Sequence, residues 1–165
     1  MFEPYEEIED CKLYRWRTMM LAVHWREFRK EHFELIGRAC AAIEDEHGMM
    51  SSIVVLRGNF RLTLDYDARQ AAADLTAQCE PFNIGQALVI EADGFKASIA
   101  RSLLTGVNLI ARSKAQQRTF KDPKEGIHWL CEIERQPDEV RAAAGDAWAS
   151  IDGILHGLPA KAVGV

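Results

Sequence analysis

The chain has 165 residues, 48% of them hydrophobic and 27% charged, which is the balance of one globular domain and argues against disorder except at the last few residues. Its formal net charge of -5 argues against a nucleic-acid-binding surface, which requires a basic excess or a basic stripe. Basic residues cluster around residues 26–30, where interleaved glutamates indicate a solvated helix face instead.

The N-terminus and the cysteines indicate where the protein resides. The opening sequence MFEPYEEIED lacks the basic and then apolar pattern of a secretion signal. The longest apolar run, at residues 19–23, is too short to span a membrane. No C-x-x-C motif occurs among the widely spaced Cys11, Cys40, Cys79 and Cys131. We therefore expect four reduced, mostly buried thiols in a cytoplasmic protein.

The first third of the chain predicts two strands, a helix and a third strand. Residues 11–17 alternate charged and bulky side chains, as expected of a half-buried edge strand. Residues 19–25 (MMLAVHW) fit a second strand because they are apolar on every side; the alternative is one long helix capped by Thr18. If they form a strand, the helix begins near Arg26 and stops before Gly48, and SSIVVL then forms a buried strand.

The rest of the domain alternates helices and strands. Asp67 is predicted to cap a helix that ends near Cys79, with Gln70 completing a box-like pattern. Residues 86–92 form the next strand. An amphipathic helix follows, with apolar residues close to every fourth position: Phe95, Ile99, Leu103, Val107 and Ile110. A short strand, RTF, precedes a helix capped by Asp122.

A final helix is predicted from Pro137 to about residue 156, followed by a frayed tail over residues 157–165. Two roles stay open for its apolar stripe: covering a bare face of the chain's own sheet, or forming a dimer face. The stripe consists of Val140, Ala144, Ala147, Ile151 and Leu155.

Strands that alternate with helices predict a single α/β domain with a mixed, mostly parallel sheet of four to five strands and helices packed on it. This domain spans residues 1–135, and the first two strands add an antiparallel edge to its sheet. The extra C-terminal helix, residues 136–156, packs on the domain or on a dimer partner.

This order of elements resembles the STAS-like fold of anti-sigma-factor antagonists, and more closely an uncharacterised bacterial family grouped with those proteins. The resemblance rests on the strand MLAVHW, the segment GFKASIARSLLTGVNLIAR, and the later pieces RTF and EGIHWL. It covers residues 20–131 and implies a regulatory or binding module. The matching residues are core positions, so they imply a fold more than an activity.

One segment departs from the pattern of those antagonists, which carry a phosphorylatable serine in an acidic segment after the middle strand. The corresponding segment here is RLTLDYDARQ, whose only hydroxyl groups belong to Thr63 and Tyr66. The departure argues against a kinase-driven switch at the start of the second helix.

Ligands of open α/β sheets bind beyond the carboxyl ends of the strands, which here lead into the loops 57–67 and 93–96. Two interpretations stay open: a polar rim around a small ligand or partner peptide, and a solvated loop with one helix cap. Of the two carboxylates Asp65 and Asp67, only Asp65 stays a candidate for acid/base chemistry, since Asp67 is predicted to cap the next helix. The candidate binding residues are Arg57, Asn59, Arg61, Asp65, Tyr66, Asp67, Asp93 and Lys96.

The motifs of common catalytic sites do not occur in the sequence. It has no P-loop, no G-x-G-x-x-G and no G-x-S-x-G, so nucleotide cofactors and a hydrolase triad have no anchor. His24 and His32 lie in different predicted elements, and residues 44–47 (EDEH) are the best local cluster of metal-ligand types. Cys79 has no basic partner nearby in sequence. We predict no catalytic residue, no metal and no cofactor.

The sequence thus favours a non-enzymatic cytoplasmic module that binds a protein partner or a small apolar ligand, without nucleic acid and without a membrane span. A small enzyme that uses the loop 57–67 is the second hypothesis. A structural homo-oligomer, such as a homodimer, built through the C-terminal helix is the third.

Overall fold

The computed structural model of the protein describes residues 1–58, 64–91, 98, 102 and 115–158. In this part of the chain, one sheet contains six strands: β1 (Glu3–Ile8), β2 (Cys11–Trp16), β3 (Met19–His24), β4 (Met50–Leu56), β5 (Asn83–Ile90) and β6 (Gln117–Phe120). Five helices with described bounds pack on the sheet: α1 (Lys30–His47), α2 (Tyr66–Cys79), α3 (Pro123–Glu132), α4 (Asp138–Arg141) and α5 (Ala144–His156).

The strands lie in the sheet in the same order as in the chain. β1 pairs with β2 and β2 with β3 in antiparallel fashion, whereas β3 to β6 run parallel to one another. Because each parallel strand is added on the same side of its predecessor, right-handed crossovers place α1 and α2 on one face of the sheet. The sheet is therefore mixed, as predicted, with an antiparallel edge.

Each face of the sheet has its own apolar core. Met19, Leu21 and Val23 of β3 contribute to the core shared with α3, α4 and α5, whereas Met20 and Ala22 contribute to the core under α1 and α2. This alternation follows from the two-residue period of a strand. Coverage on both faces explains why every residue of β3 and β4 is buried.

The strand interpretation of residues 19–25 is confirmed, because β3 covers Met19–His24. The helix after it begins at Lys30, so a start near Arg26 was wrong. The intervening link is not helical, and its Phe28 ring lies 4.3 Å from the His24 ring. Gly48 ends α1 with a φ of 69°, the left-handed conformation that glycine adopts most easily.

The prediction that residues 11–17 form an edge strand is wrong, because β1 pairs outside β2 and brings the sheet to six strands. A bulge between Pro4 and Glu6 shifts the register of β1. It breaks the two-residue alternation by which a strand is recognised in sequence. The exposed acidic side chains of β1 suit an edge, since charge discourages pairing with another chain.

The predicted C-terminal helix is broken into α4 and α5, which are separated by Ala142 and Ala143. Ala142 and Ala143 form a turn there, and Val140 before the turn and Ala147 after it are both fully buried in the same core. The stripe thus covers the chain's own sheet. The helix predicted from Phe95 to Ile110 lies outside the described residues, except for Ser98 and Ser102, and so does the tail from residue 159 onward.

Candidate functional site

An apolar cavity of about 120 Å³ lies between α1, α2 and the sheet face that these helices cover. β3, β4 and β5 form its floor, and the two helices form its walls. Its lining is mostly aliphatic and aromatic, and includes Met20, Phe28, Ile36, Val54, Leu75 and Leu88. A water molecule inside this cavity would therefore find few hydrogen-bond partners.

The cavity arises from the small side chains that α2 presents to the sheet. The buried residues of α2 are Ala68, Ala72, Ala73 and Cys79, whereas α1 buries leucine and isoleucine. Protein interiors are otherwise packed as densely as organic crystals, so alanines opposite a sheet leave space. An engineered apolar cavity of about 150 Å³ in another protein binds benzene, which gives the scale of molecule that fits here.

Several polar side chains in the cavity wall already have partners inside the chain. The Thr76 hydroxyl donates to the Ala72 carbonyl, the Asn83 side-chain oxygen accepts from the Gly85 amide, and the Gln86 oxygen accepts from Gln117. These groups are therefore poorly placed to recognise a strongly polar ligand. The wall selects for apolar surface instead.

Arg57, the first residue of the predicted polar rim, is buried and engaged elsewhere. Its Nε donates to Glu91 at 2.9 Å, and its Nη1 donates to the carbonyl oxygen of Leu155 at 2.6 Å. These bonds tie the carboxyl ends of β4 and β5 to the end of α5. Arg57 therefore anchors the C-terminal helix.

Replacing Arg57 by alanine is expected to lower the free energy of unfolding by about 2–3 kcal/mol, because it removes the donor to the Glu91 carboxylate and the 2.6 Å hydrogen bond to the buried Leu155 carbonyl. Chemical denaturation with urea measures the change. Arg141→Ala is the control, since its ion pair with Asp138 is exposed and contributes less than about 0.5 kcal/mol. Equal losses in the two variants would contradict the anchoring role.

The predicted cap at Asp67 is wrong, because Asp65 caps α2 by accepting from the Ala68 amide at 2.7 Å. Asp67 lies in the first turn, where its charge complements the helix dipole. The two positions differ by only two residues, and both carboxylates precede an apolar helix, so the sequence pattern did not separate them. Asp65, proposed as a free acid, is thus engaged by its cap.

Tyr66 and Asp67 border a shallow groove on the outer surface, between α1 and α2. Tyr66 is 80% exposed there. No hydrogen bond or ion pair within the described residues joins Arg57 to Asp65, Tyr66 or Asp67. The remaining rim candidates, Asn59, Arg61, Asp93 and Lys96, lie outside the described residues.

A buried polar cluster that the sequence analysis missed joins the β1–β2 turn to the start of α1. Nδ1 of His32 accepts from the Arg29 amide at 2.8 Å, so the ring proton is on Nε2, which donates to Oδ1 of Asp10 at 2.7 Å. Arg29 also donates to this oxygen at 3.2 Å. Asp10 and His32 are fully enclosed, so the cluster holds the fold together and is not open to a substrate.

His24 and Cys11 extend this cluster beneath α1. The imidazole ring of His24 and the thiol of Cys11 are both buried, and Sγ of Cys11 lies 3.3 Å from Nε2 of His24. Burial, together with the charge of Asp10, raises the pKa of Cys11 to about 12, so the thiol keeps its proton. Burial, with a smaller effect from His32, lowers the pKa of His24 to about 3. A Cys–His pair of this kind is a poor nucleophile.

Within the described ranges, no group of three or more His, Cys, Asp or Glu side chains is arranged to hold a metal ion. No family model, curated protein or solved structure matches this chain. None of the described helices combines the length and the apolar character needed to cross a membrane.

Proposed function

We propose that this protein is a non-enzymatic binding module that holds a small apolar ligand, about the size of one aromatic ring, in the cavity between α1, α2 and the sheet. The observation that carries the proposal is the cavity itself, with about 120 Å³ of space and a mostly apolar wall. Concave sites with apolar walls and few polar groups are the usual setting for small-molecule binding.

We also propose a distant kinship with STAS-like regulators, supported by the parallel succession of β3, α1, β4, α2 and β5 in this chain. A relationship to these regulators favours a protein that binds a ligand or a partner over an enzyme. A cytoplasmic location belongs to the same proposal, because four free, buried cysteines suit a reducing compartment.

Toluene is the first probe of the cavity, and benzoate is its charged counterpart with the same ring. We expect toluene at ten times its Kd to stabilise the protein by about 1.4 kcal/mol, seen as a rise of a few degrees in Tm, while benzoate has no effect. Ala72→Phe, which fills the cavity from α2, is expected to abolish the toluene response. Ala77→Phe, on the exposed side of the same helix, should keep it.

Three results would decide the proposal. A toluene response in the parent protein and in Ala77→Phe, but not in Ala72→Phe, would support it. A response that survives Ala72→Phe would place binding elsewhere. No response in any of the three would mean that the space is closed to ligands in solution. Native mass spectrometry of the purified protein, compared with its denatured mass, identifies a retained natural ligand.

A protein partner is the second candidate, favoured by the groove between α1 and α2. Tyr66, with 80% of its surface exposed, stands at one end of this groove, and Lys30, Glu34 and Asp74 supply charges of both signs along it. Exposed tyrosines are common anchors in protein interfaces. The small enzyme based on the loop 57–67 gains no comparable support, since Arg57 and Asp65 are engaged in structural contacts.

A further inference from the structure

The hydroxyl group of Ser52 lies in the wall of the apolar cavity without a hydrogen-bond partner in the chain. Ser52 is the third residue of β4, and its side chain is on the same face as those of Met50 and Val54, which also line the cavity. Ser52 is only 4% exposed. Within the described residues, no hydrogen bond joins its hydroxyl group to another group of the protein. The fold therefore encloses a hydrogen-bonding group beside a space that a ligand can occupy.

The preceding residue, Ser51, differs from Ser52 in this respect. Its side chain lies on the opposite face of β4, and its hydroxyl oxygen accepts from Nε2 of Gln136 at 2.8 Å. The Thr18 hydroxyl donates to the side-chain oxygen of the same glutamine at 2.9 Å. Ser51 thus belongs to a hydrogen-bonded network in the opposite core, whereas the hydroxyl group of Ser52 has no such network.

A buried hydroxyl group without a partner destabilises a folded protein, since it gives up its hydrogen bonds to water and gains none. The other residues of β4 on this face, Met50, Val54 and Leu56, are apolar and pack in the core. An apolar side chain at position 52 would therefore suit the core better than serine does. A ligand that hydrogen-bonds to Ser52 removes this cost, because it supplies the missing partner.

The remaining wall of the cavity limits the charge of such a ligand. No charged side chain lines the cavity among the described residues. A carboxylate or an ammonium group would therefore lose its hydration without gaining an opposite charge. A neutral hydroxyl group on the ligand suits Ser52, because each of the two hydroxyl groups can donate to or accept from the other.

We propose that the cavity takes a phenol-like ligand, an uncharged compound of one ring with one hydroxyl group that hydrogen-bonds to Ser52. The inference rests on the proposed ligand site and adds the chemical class of its ligand. Ser52 is the residue that distinguishes a hydroxylated ring from a plain hydrocarbon of the same size. A site that hydrogen-bonds a hydroxyl group in this way discriminates by leaving a buried group unpaired when the wrong ligand binds.

Phenol and toluene are the two probes, because a hydroxyl group and a methyl group are close in size. Phenol is uncharged at pH 7, since phenolic hydroxyl groups titrate at about pH 10. Isothermal titration calorimetry on the full-length protein gives the Kd of each probe. The quantity compared between variants is the Kd of toluene divided by the Kd of phenol, so that the different hydration of the two compounds in water cancels.

Ser52→Ala is expected to lower this ratio by about tenfold, because the phenol hydroxyl is then buried without a partner. The Kd of toluene should change by less than about twofold, since toluene forms no hydrogen bond with Ser52. Ser52→Thr keeps a hydroxyl group at this position and should keep the ratio of the parent protein.

Ser51→Ala is the matched control, because it removes a serine hydroxyl one position earlier, on the face of β4 away from the cavity. It should keep the ratio of the parent protein. Without ligand, the midpoint of urea unfolding should fall in Ser51→Ala, which loses the hydrogen bond from Gln136. The midpoint should not fall in Ser52→Ala, whose hydroxyl group has no partner to lose.

Three outcomes would overturn the inference. If both probes bind and Ser52→Ala leaves their ratio unchanged, Ser52 does not recognise the ligand and a bound water satisfies it, while the proposed ligand site stands. If Ser51→Ala lowers the ratio as much as Ser52→Ala does, the effect is an indirect change in the sheet. If neither probe binds to the parent protein or to any variant, the proposed ligand site fails, and this inference fails with it.

Discussion

Replacing Asp10 by alanine is expected to lower the free energy of unfolding by about 3–4 kcal/mol, because removing a buried, charged hydrogen-bond acceptor leaves a buried donor unsatisfied. Oδ1 of Asp10 accepts from both His32 and Arg29, and Asp10 is only 1% exposed. Without the carboxylate, the Nε2–H of His32 is buried with no acceptor, and the Arg29 guanidinium keeps only its exposed pair with Glu31, at 3.9 Å. Urea denaturation at neutral pH measures the loss.

Asp10→Asn separates the hydrogen bond from the charge. The asparagine oxygen can still accept from His32, so we expect a smaller loss of about 1–2 kcal/mol, which corresponds to one charge-assisted hydrogen bond becoming neutral. Within the described residues, no donor reaches Oδ2 of Asp10, so an amide nitrogen at that position displaces no existing bond.

Glu9→Ala is the matched control, since Glu9 is the preceding residue and forms an ion pair of 2.6 Å with Arg26. Both partners are exposed, and such a pair contributes less than about 1 kcal/mol. If Asp10→Ala cost no more than Glu9→Ala, the enclosed cluster would not hold the β1–β2 turn to α1, and the stability of this end of the domain would have another source.

Local signals in the sequence predicted most of the elements because the residues that end helices and strands act over a few positions. Gly48 ends α1, and Asp122 with Pro123 begins α3, as expected. The strand character of residues 19–25 followed from side chains that are apolar on both faces, and both faces of β3 are indeed covered. β1 escaped prediction because its bulge interrupts the alternation that marks a strand.

The candidate site was harder to predict, because it depends on distances between elements that are remote in sequence. The cavity exists because α2 presents alanines to β4 and β5, and no local pattern shows how far apart a helix and a sheet will lie. Cys40 and Cys79 were predicted to be buried, and they are, but the sequence did not show that both would line this cavity.

The distance between His24 and His32 also could not be predicted, although these residues are only eight positions apart in the sequence. They were assigned to different elements, correctly, but the tight link between β3 and α1 brings their rings to 5.0 Å. The scattered appearance of histidines in the sequence was therefore misleading. His24 is the last residue of a strand and His32 is in the first turn of the next helix, and such positions often meet at the carboxyl edge of a sheet.

This enclosed histidine gives the protein a pH dependence of stability with a definite sign. Burial lowers the pKa of His24 from 6.5 to about 3 in the folded protein, with a smaller contribution from His32. Below about pH 6.5 the unfolded chain binds a proton at His24, whereas the folded protein binds none until about pH 3. The contribution of His24 to stability is therefore complete above pH 6.5 and is lost as the pH falls towards 3.

Each pH unit in this window is expected to lower the free energy of unfolding by about 1.4 kcal/mol, which amounts to about 2 kcal/mol between pH 6.5 and pH 5. Urea denaturation across this range measures the slope, above the pH at which most carboxylates take up protons. His24→Gln removes the proton site and keeps a hydrogen-bonding side chain beside the Cys11 thiol. It should be less stable than the parent at pH 7, because it gives up ring packing with Phe28, but its slope should be flatter.

The exposed His156 provides the matched control, because His156→Gln makes the same substitution on the surface of α5. The test compares the slopes of the free energy of unfolding against pH in the two variants, so that proton uptake at all other groups cancels. A parent slope retained in His24→Gln would mean that the unfolded and folded states bind the same number of protons at His24. The imidazole would then be reached by water, and the enclosed packing of Cys11, His24 and His32 would not persist in solution.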